Sequence, residues 1–136
     1  LGLPGETHDT MVAQAGMLSE LPLSTLKIHQ LQLIRGTRMA HEYEENPTGF
    51  HLFREVDEYI DLVIDYVEHL HPDLVLERFV SQSPKELLIA PDWGLKNYEF
   101  TARVQKRMKE RGAYQGKKYR DSEKRVIFAE DNFTTE

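Results

Sequence analysis

The sequence predicts an α/β fold in which a strand, a helix and a second strand are followed by a C-terminal helix. Residues 25–34 alternate apolar and polar side chains, as a strand does, and residues 74–80 form a short β-branched and aromatic run. Between them, residues 55–70 repeat apolar side chains at the three- and four-residue spacing of an amphipathic helix. This order predicts a right-handed βαβ unit with parallel strands.

The chain opens on a glycine-rich turn, residues 1–7, which leads into a short helix. Glycines at positions 2 and 5 permit positive φ angles, and the proline at position 4 stiffens the turn. Thr7 is expected to cap the helix, so that backbone N–H groups and the positive end of the helix dipole face a bound ligand. No strand precedes this loop and Leu1 is not an initiator methionine, so we expect a boundary within a longer protein. The helix is predicted from the spacing of Met11, Val12, Ala15 and Leu18.

The predicted strand at residues 25–34 changes the parity of its apolar side chains once, near its middle. Either a bulge intervenes or both faces of the strand are partly buried, as in a parallel sheet. His29, Gln30 and Gln32 are polar residues in this strand. They therefore need hydrogen-bonding partners or a polar cavity.

The centre of the chain also contains two predicted connecting segments and a helix with an acidic face. Residues 35–54 are predicted to form a long polar connection with a helical turn around residues 39–44, and residues 81–94 are predicted to be irregular. The outer face of the helix at residues 55–70 is expected to be a solvated acidic surface. Its members are Asp57, Glu58, Asp61, Asp65 and Glu68.

The C-terminal region is a predicted helix with a basic character. Asn97 is expected to cap this helix, which runs to Arg111 and ends at Gly112. Residues 1–102 contain seven Lys/Arg and seventeen Asp/Glu, whereas residues 103–125 contain ten and three. The basic segment is either a solvated helix face followed by a mobile tail or a docking surface for an anionic partner such as RNA.

Composition limits the classes of protein that this chain represents. Its 136 residues, of which 40% are hydrophobic and 29% charged, fit one globular domain. The absence of cysteine excludes disulfides, thiolate catalysis and cysteine-held metal centres within the chain. No apolar run reaches the length of a membrane span, so we expect a soluble, cytoplasmic protein with no membrane partner.

Two pairs of residues, each containing histidine, have a spacing that could bring metal ligands together. They are His41 with Glu44, and His69 with His71. Neither pattern is specific, because the first fits a solvated acidic face and the second fits histidines at a helix C-terminus. The sequence therefore predicts no metal site.

Two other places are candidates for ligand binding. They are the loop at residues 2–6 and the strand that carries His29, both of which would project from the carboxyl ends of parallel strands. Glu77 and Arg78 on the next strand could add a charged pair there. The alternatives are that Glu77 and Arg78 form a structural ion pair and that His29 is a core histidine.

An ordered series of segments resembles the second half of radical S-adenosylmethionine (SAM) enzymes. The first two are Gly-Leu-Pro-Gly-Glu-Thr at residues 2–7 and Leu-Lys-Ile-His-Gln-Leu-Gln-Leu-Ile-Arg-Gly-Thr at residues 26–37. The others are Glu-Tyr-Ile-Asp-Leu at 58–62, Glu-Arg-Phe-Val-Ser-Gln-Ser-Pro at 77–84, Leu-Ile-Ala-Pro-Asp-Trp-Gly-Leu-Lys-Asn at 88–97 and Arg-Met-Lys-Glu-Arg-Gly at 107–112. The likeness covers residues 1–119 and is strongest to the elongator-like branch, which includes bacterial proteins described as iron-sulfur oxidoreductases of uncertain substrate.

This resemblance implies the C-terminal fragment of a partial (β/α)6, TIM-like barrel whose N-terminal half carries a CxxxCxxC loop for a [4Fe-4S] cluster. It implies that residues 1–37 end the barrel, residues 38–119 form a C-terminal extension and residues 120–136 form a charged tail. The residues implied to border the SAM pocket are Gly2, Leu3, Pro4, Gly5 and Glu6 after the fifth strand, with His29 and Gln30 on the sixth. Arg78 is implied to face the substrate.

The implied chemistry is reductive cleavage of SAM to a 5′-deoxyadenosyl radical, which then abstracts hydrogen from a substrate. Because the chain has no cysteine to hold the cluster, we expect an enzyme in the full-length protein and an isolated chain that is inactive and binds no cofactor. The implied partner is the missing N-terminal half of the barrel. The alternatives are a module that binds transfer RNA, other RNA or a protein through residues 103–125, and a structural piece that dimerises through exposed strand edges.

Overall fold

This computed structural model describes residues 1–120, which form four α-helices and four short β-strands joined by loops. In chain order they are α1 (His8–Ser19), β1 (Thr25–Lys27), β2 (Leu33–Ile34), α2 (Arg38–Glu45), a 3₁₀ turn (Pro47–Gly49), α3 (Val56–Glu68), β3 (Val75–Arg78), β4 (Leu88–Ala90) and α4 (Asn97–Arg111). β1 pairs in parallel with β3, and β2 pairs antiparallel with β4. The predicted α/β class and the strand-helix-strand unit with parallel strands are confirmed. The charged tail lies outside the described residues from residue 121 onward.

The single strand predicted at residues 25–34 is wrong, because the chain divides it between two sheets. The register of β1 against β3 shifts between Leu26 and Lys27, and the Ile28 N–H still reaches the Arg78 carbonyl oxygen at 2.9 Å. β3 ends there, and Leu33 instead lies opposite Ala90 of β4. A continuous strand keeps one parity toward its core, whereas two strands with different neighbours do not. The change of parity in the sequence therefore marks a change of partner.

β4 was not predicted, because residues 81–94 contain breaking prolines and no period. Only Leu88–Ala90 is extended as a strand, and the Arg35 N–H also bonds the Leu87 carbonyl oxygen at 2.7 Å. The segment becomes a strand because β2 offers it hydrogen-bonding partners, and a preference for strand conformation depends strongly on such neighbours.

Helix α3 is the centre of the hydrophobic core. Tyr59, Val63 and Ile64 on this helix are each 0% exposed, and α1 and α4 pack against it from two sides. The buried apolar residues contributed by the other elements include Met11, Ala15, Ile28, Phe53, Leu74, Val80, Phe100 and Val104. No helix in residues 1–120 is long and apolar enough to cross a membrane.

The helix ends follow the expected capping in two of three cases. The Thr7 hydroxyl accepts a hydrogen bond from the Thr10 N–H at 3.1 Å, which caps α1 as predicted. Gly112 ends α4 with a φ of 62°, also as predicted. The N-cap of α4, however, is Lys96 rather than Asn97, and no side chain bonds to this helix end.

The outer face of α3 is not the solvated acidic surface that we expected, because α4 covers part of it. The Arg107 guanidinium bonds both Asp61 carboxylate oxygens, Oδ1 at 2.6 Å and Oδ2 at 3.0 Å. One turn further along each helix, Arg111 donates to Asp65 at 2.8 Å. The basic last turns of α4 therefore join the two helices by ion pairs.

Glu68 completes this row of ion pairs in a more buried position. It is only 3% exposed, and its Oε1 atom lies 3.5 Å from Arg111 and 3.7 Å from Lys118. Because a carboxylate is rarely buried unless it is paired, the two cations account for its place in the core.

Asp65 makes the stability of this interface sensitive to acid. Partial burial raises the pKa of Asp65, but the hydrogen bonds and charges of Arg111 and His8 outweigh burial and hold it below its usual value. A carboxylate with a lowered folded-state pKa stabilises the fold above its unfolded-state pKa, and this contribution is lost as the pH falls through the folded-state value.

We therefore expect Asp65→Asn to lower the free energy of unfolding at pH 7 by roughly 0.5–1 kcal/mol. The difference from the wild type should shrink as the pH falls below about 4, the pKa of an unfolded aspartate, and vanish below the lower folded-state pKa of Asp65. Urea unfolding at a series of pH values measures both effects. Asp73→Asn, at a side chain that is 91% exposed, is the control. An Asp65→Asn difference that persists unchanged at pH 2 would contradict the assignment.

Candidate functional site

The opening loop, residues 2–6, is held closed by its own glutamate. Glu6 Oε1 accepts hydrogen bonds from the Gly2 N–H at 3.1 Å and the Leu3 N–H at 2.8 Å. The Gln14 amide donates to the second carboxylate oxygen of Glu6. Leu3, Pro4 and Gly5 remain exposed at the tip. Glu6 therefore shapes the loop from within, and the tip is the part that a ligand can reach.

The two glycines of the opening loop, Gly2 and Gly5, differ in how much space surrounds them. Gly2 has a φ of +95°, and a Cβ atom there would lie 2.9 Å from the Phe53 ring. Gly5 has a φ of +84° and no atom within 4 Å of the corresponding position. Both angles disfavour side chains. Gly2 is thus needed for packing, whereas Gly5 leaves an open approach to the backbone.

Leu1 places the opening loop beside the segment between β1 and β2, which carries His29. The Leu1 amino group donates to the His29 carbonyl oxygen at 2.7 Å, and the Leu31 N–H donates to the Leu1 carbonyl oxygen at 2.7 Å. This pair of bonds is the pattern of a parallel bridge. Because the Ile28 N–H bonds β3, and successive residues of a strand direct their backbone groups to opposite edges, Leu1 lies on the edge away from β3.

His29 is exposed and lies in a positively charged environment. Partial burial of the ring lowers the pKa of His29, and the charges of Arg78, Lys27 and the Leu1 amino group lower it further. The ring is therefore mostly neutral at pH 7, with one nitrogen free to accept a hydrogen bond. His29 is not the core histidine of the alternative interpretation.

Glu77 and Arg78 do not form the ion pair that the sequence suggested. Glu77 lies 3.4 Å from Lys27 on the neighbouring strand, and Arg78 is exposed with no carboxylate partner within residues 1–120. Arg78 is thus an available cation next to His29, as the substrate-facing prediction requires, although the contact with a substrate stays a prediction.

Gln30 points away from His29 and holds the chain that leaves β3. Its amide oxygen accepts the Ser81 N–H at 2.9 Å, and its amide nitrogen donates to the Ser81 carbonyl oxygen at 3.1 Å. Gln32 donates to the same carbonyl oxygen at 3.2 Å and accepts from the Ser83 hydroxyl at 2.6 Å. The predicted need for polar partners is thus met. His29 and Gln30, which were predicted to act near one cavity, lie on opposite faces.

A cavity of about 300 Å³ lies where the two parallel strands end. Gln30 and Gln32 form one wall, and the other walls come from segment 80–96 and from Phe100 of α4. We call it the carboxyl-end cavity, because its walls follow the carboxyl ends of β1 and β3. This edge of a parallel sheet is where α/β proteins commonly bind ligands.

The floor of the carboxyl-end cavity belongs to an aromatic cluster. The Trp93 ring stacks on Tyr59 and Phe100, with centroid distances of 5.2 and 5.9 Å. The Trp93 indole N–H donates to the Phe53 carbonyl oxygen at 2.7 Å, and the Tyr59 hydroxyl donates to the Phe79 carbonyl oxygen at 2.7 Å. Burial raises the pKa of Tyr59, so its hydroxyl stays protonated. These contacts fix the position of the Trp93 ring.

Sequence reasoning assigned no role to the residues that the cavity takes from segment 80–96. The most important are Lys85, Trp93 and Lys96. Their local signal was weak, since the segment has no period, and only the Asp-Trp-Gly sequence at residues 92–94 stood out within the family likeness. The start of the segment is held at Ser81 by Gln30, 51 residues earlier, and Trp93 is held by the Phe53 carbonyl oxygen, 40 residues earlier.

The histidine pairs considered for metal binding are engaged elsewhere. His41 lies 3.2 Å from Glu45, the His69 Nδ1 atom lies 2.7 Å from the Asp65 carbonyl oxygen, and the His71 Nδ1 atom accepts the Asp73 N–H at 3.0 Å. Within residues 1–120 no three His, Asp or Glu side chains are grouped to hold a metal ion. With no cysteine in the sequence, the residues present do not fit a [4Fe-4S] cluster.

The fold and the site define a small α/β domain with a glycine-rich loop and a cavity at the carboxyl ends of its parallel strands. The family model described as the Radical_SAM C-terminal domain matches residues 23–110, which is more than half of the chain. The chain therefore belongs to the family of Radical_SAM C-terminal domains, which confirms the coarser part of the resemblance.

Three relatives align with most of this chain but with a smaller part of their own length. The chain is 35% identical over 116 residues to the uncharacterized protein YtqA of Bacillus subtilis, covering 85% of this chain and 35% of YtqA. It is 33% identical over 122 residues to the uncharacterized protein MJ0486 of Methanocaldococcus jannaschii, covering 88% of this chain and 36% of that protein. It is 24% identical over 94 residues to protein YhcC of Escherichia coli, covering 68% of this chain and 29% of YhcC. The chain spans about a third of the length of these relatives.

Proposed function

We propose that this chain is the C-terminal part of a radical SAM iron-sulfur oxidoreductase of the elongator-like branch, acting on a substrate that is not identified. The observation that carries the proposal is the match of residues 23–110 to the Radical_SAM C-terminal domain. The relatives are about three times as long as the chain, which leaves room for a cluster-binding half in the full-length protein.

The proposed architecture of that protein is a partial (β/α)6 barrel that ends in residues 1–37, followed by an extension at residues 38–119. The parallel bridge of Leu1 supports it, because a strand ending at Leu1 would add to the edge of β1 opposite β3. The helices α1 and α3 pack together beside this sheet, while Lys27, His29 and Glu77 are exposed. An exposed polar sheet face of this kind suits the interior of a barrel whose remaining strands belong to the full-length protein.

The opening loop fits a role in binding SAM. Its exposed tip, Leu3 to Gly5, offers backbone that a ligand can approach, and Glu6 keeps the loop in one conformation. His29 would lie nearby as a neutral hydrogen-bonding group, and Arg78 would meet the substrate. SAM, when bound, supplies the radical chemistry, whereas this chain positions and shields the reacting molecules. The chain supplies no ligand to the cluster, so those ligands must come from elsewhere.

The alternative of a nucleic-acid-binding module receives less support from the arrangement of charges. Arg107, Arg111 and Lys118 from the basic segment lie against carboxylates of α3. Side chains that are paired within the protein contribute less to a free cationic surface. The enzyme proposal is therefore the better supported one.

The experiment uses the full-length protein, reconstituted with iron and sulfide without oxygen. We expect it to bind SAM and to form 5′-deoxyadenosine on reduction. Glu6→Ala frees the Gly2 and Leu3 N–H groups and loosens the loop, so we expect the Kd for SAM to rise about tenfold. Equilibrium dialysis measures this Kd, and liquid chromatography measures the 5′-deoxyadenosine.

Glu20→Ala is the matched control, since Glu20 is an exposed glutamate just after α1 and away from the loop tip. It should bind SAM as the wild type does. Absence of 5′-deoxyadenosine from a protein with a complete cluster would overturn the proposed activity. An unchanged Kd in Glu6→Ala would remove the opening loop from the SAM pocket.

A further inference from the structure

We propose that the carboxyl-end cavity binds a small planar organic anion. This inference goes beyond the proposed function, because it concerns the faces of Gln30 and Trp93 rather than the opening loop. It can be tested without SAM or a cluster, so its failure would leave the proposed radical chemistry untouched.

The cavity has the size and rigidity of a ligand site. Its volume of about 300 Å³ lies at the lower end of the range for small-molecule pockets. Gln30 and Gln32 fix the 81–83 segment by four hydrogen bonds, and the Trp93 N–H fixes the opposite wall to Phe53. Walls held in this way need little reordering when a ligand enters.

The apolar part of the cavity suits a flat molecule. Trp93 and Phe100 lie within 17° of parallel and both line the cavity, together with the apolar residues Val80, Pro91 and Leu95. Flat rings gain stacking and burial energy against such surfaces. A ligand with an aromatic or otherwise planar body therefore matches these walls.

The polar part of the cavity is rich in hydrogen-bond donors and positive charge. Lys85 and Lys96 both line it, and neither has a carboxylate partner within residues 1–120. By contrast Lys27, Lys106 and Lys118 each lie within ion-pair distance of a glutamate. Two lysines without an ion-pair partner therefore line the cavity, and their positive charge favours an anion.

Asp92 is the one acidic residue in the lining, so the two lysines and this aspartate give the cavity a formal charge of +1. The Asp92 carboxylate accepts the Gly94 N–H at 3.1 Å. Gln30 and Gln32 each use one amide N–H on the Ser81 carbonyl oxygen, whose two lone pairs are thereby occupied. Each glutamine amide keeps one N–H to donate, so a carboxylate or phosphate oxygen on the ligand would find partners.

The test measures binding of 1-naphthoate to the full-length protein by isothermal titration calorimetry, with neutral 1-naphthamide as the isosteric comparison. We expect 1-naphthoate to bind with a Kd of about 1 mM or tighter, and the amide about tenfold more weakly. The double variant Lys85→Gln/Lys96→Gln should lose about tenfold in affinity for 1-naphthoate and none for the amide. Both lysines are exposed, so the fold is retained, which circular dichroism checks.

Lys109→Gln is the matched control, because Lys109 is exposed on α4, has no carboxylate partner within residues 1–120 and does not line the cavity. It should bind 1-naphthoate as the wild type does. Equal affinity for the acid and the amide, an undiminished affinity in the double lysine variant, or no binding of 1-naphthoate at millimolar concentration would each overturn the proposal.

Discussion

Tyr59→Ala is expected to lower the free energy of unfolding of the 136-residue chain by about 3–5 kcal/mol. Tyr59 is 0% exposed, and its ring contacts those of Phe53, Trp93 and Phe100 at centroid distances of 5.3, 5.2 and 5.6 Å. Removing the ring leaves a cavity at the meeting point of α3, α4 and segment 80–96. Urea unfolding followed by the fluorescence of Trp93, the single tryptophan, measures the loss.

Tyr59→Phe separates the contribution of the ring from that of its hydroxyl. The variant keeps the aromatic packing and loses only the hydrogen bond to the Phe79 carbonyl oxygen, which should cost about 1 kcal/mol. The two variants must therefore differ by at least about 2 kcal/mol if packing dominates. Equal destabilisation would show that the hydrogen bond, rather than the aromatic cluster, is the main contribution of Tyr59.

Gln30→Leu is expected to destabilise the chain by about 2–3 kcal/mol and to release the segment after β3. Gln30 is 6% exposed, and its amide satisfies both backbone groups of Ser81. Leucine has a similar volume but leaves the Ser81 N–H without this partner. Urea unfolding gives the stability, and hydrogen exchange of the Ser81 amide, which should become faster, gives the local effect.

His29→Ala is the control for this prediction, because His29 is the adjacent residue in the segment between β1 and β2 and its side chain is exposed. An exposed substitution of this kind should change the free energy of unfolding by no more than about 0.5 kcal/mol. A larger effect in His29→Ala than in Gln30→Leu would contradict the placement of the two side chains.

The helices could be predicted from sequence because their signals are local. The apolar period of residues 55–70 places α3, and Thr7 and Gly112 mark helix ends through contacts within a few residues. The short strands could not be predicted in the same way. β2 and β4 contain two and three residues, and each is extended because the other supplies hydrogen bonds from more than fifty positions away.

In the candidate site, too, local features could be predicted from sequence and long-range contacts could not. The positive φ angles of the opening loop could be predicted from its glycines, since few other residues adopt a φ of +84°, as Gly5 does. The inward turn of Glu6 could not be read from sequence, because it depends on how the loop folds. Nor could the ion pairs of Asp61 and Asp65, since their partners Arg107 and Arg111 come from a helix about 46 positions later.

By itself, the sequence determined the α/β class, the helices, the glycine-rich opening loop and the membership of the radical SAM C-terminal family, because these depend on local spacing and on ordered motifs. Only the tertiary structure decided which polar residues between β1 and β2 are buried, and it separated the exposed His29 from the buried Gln30. It also assembled Lys85, Lys96 and Trp93 around one cavity. The physical reason is that strand pairing and burial bring distant segments together. These long-range contacts decide where a side chain points, which its neighbours in sequence do not determine.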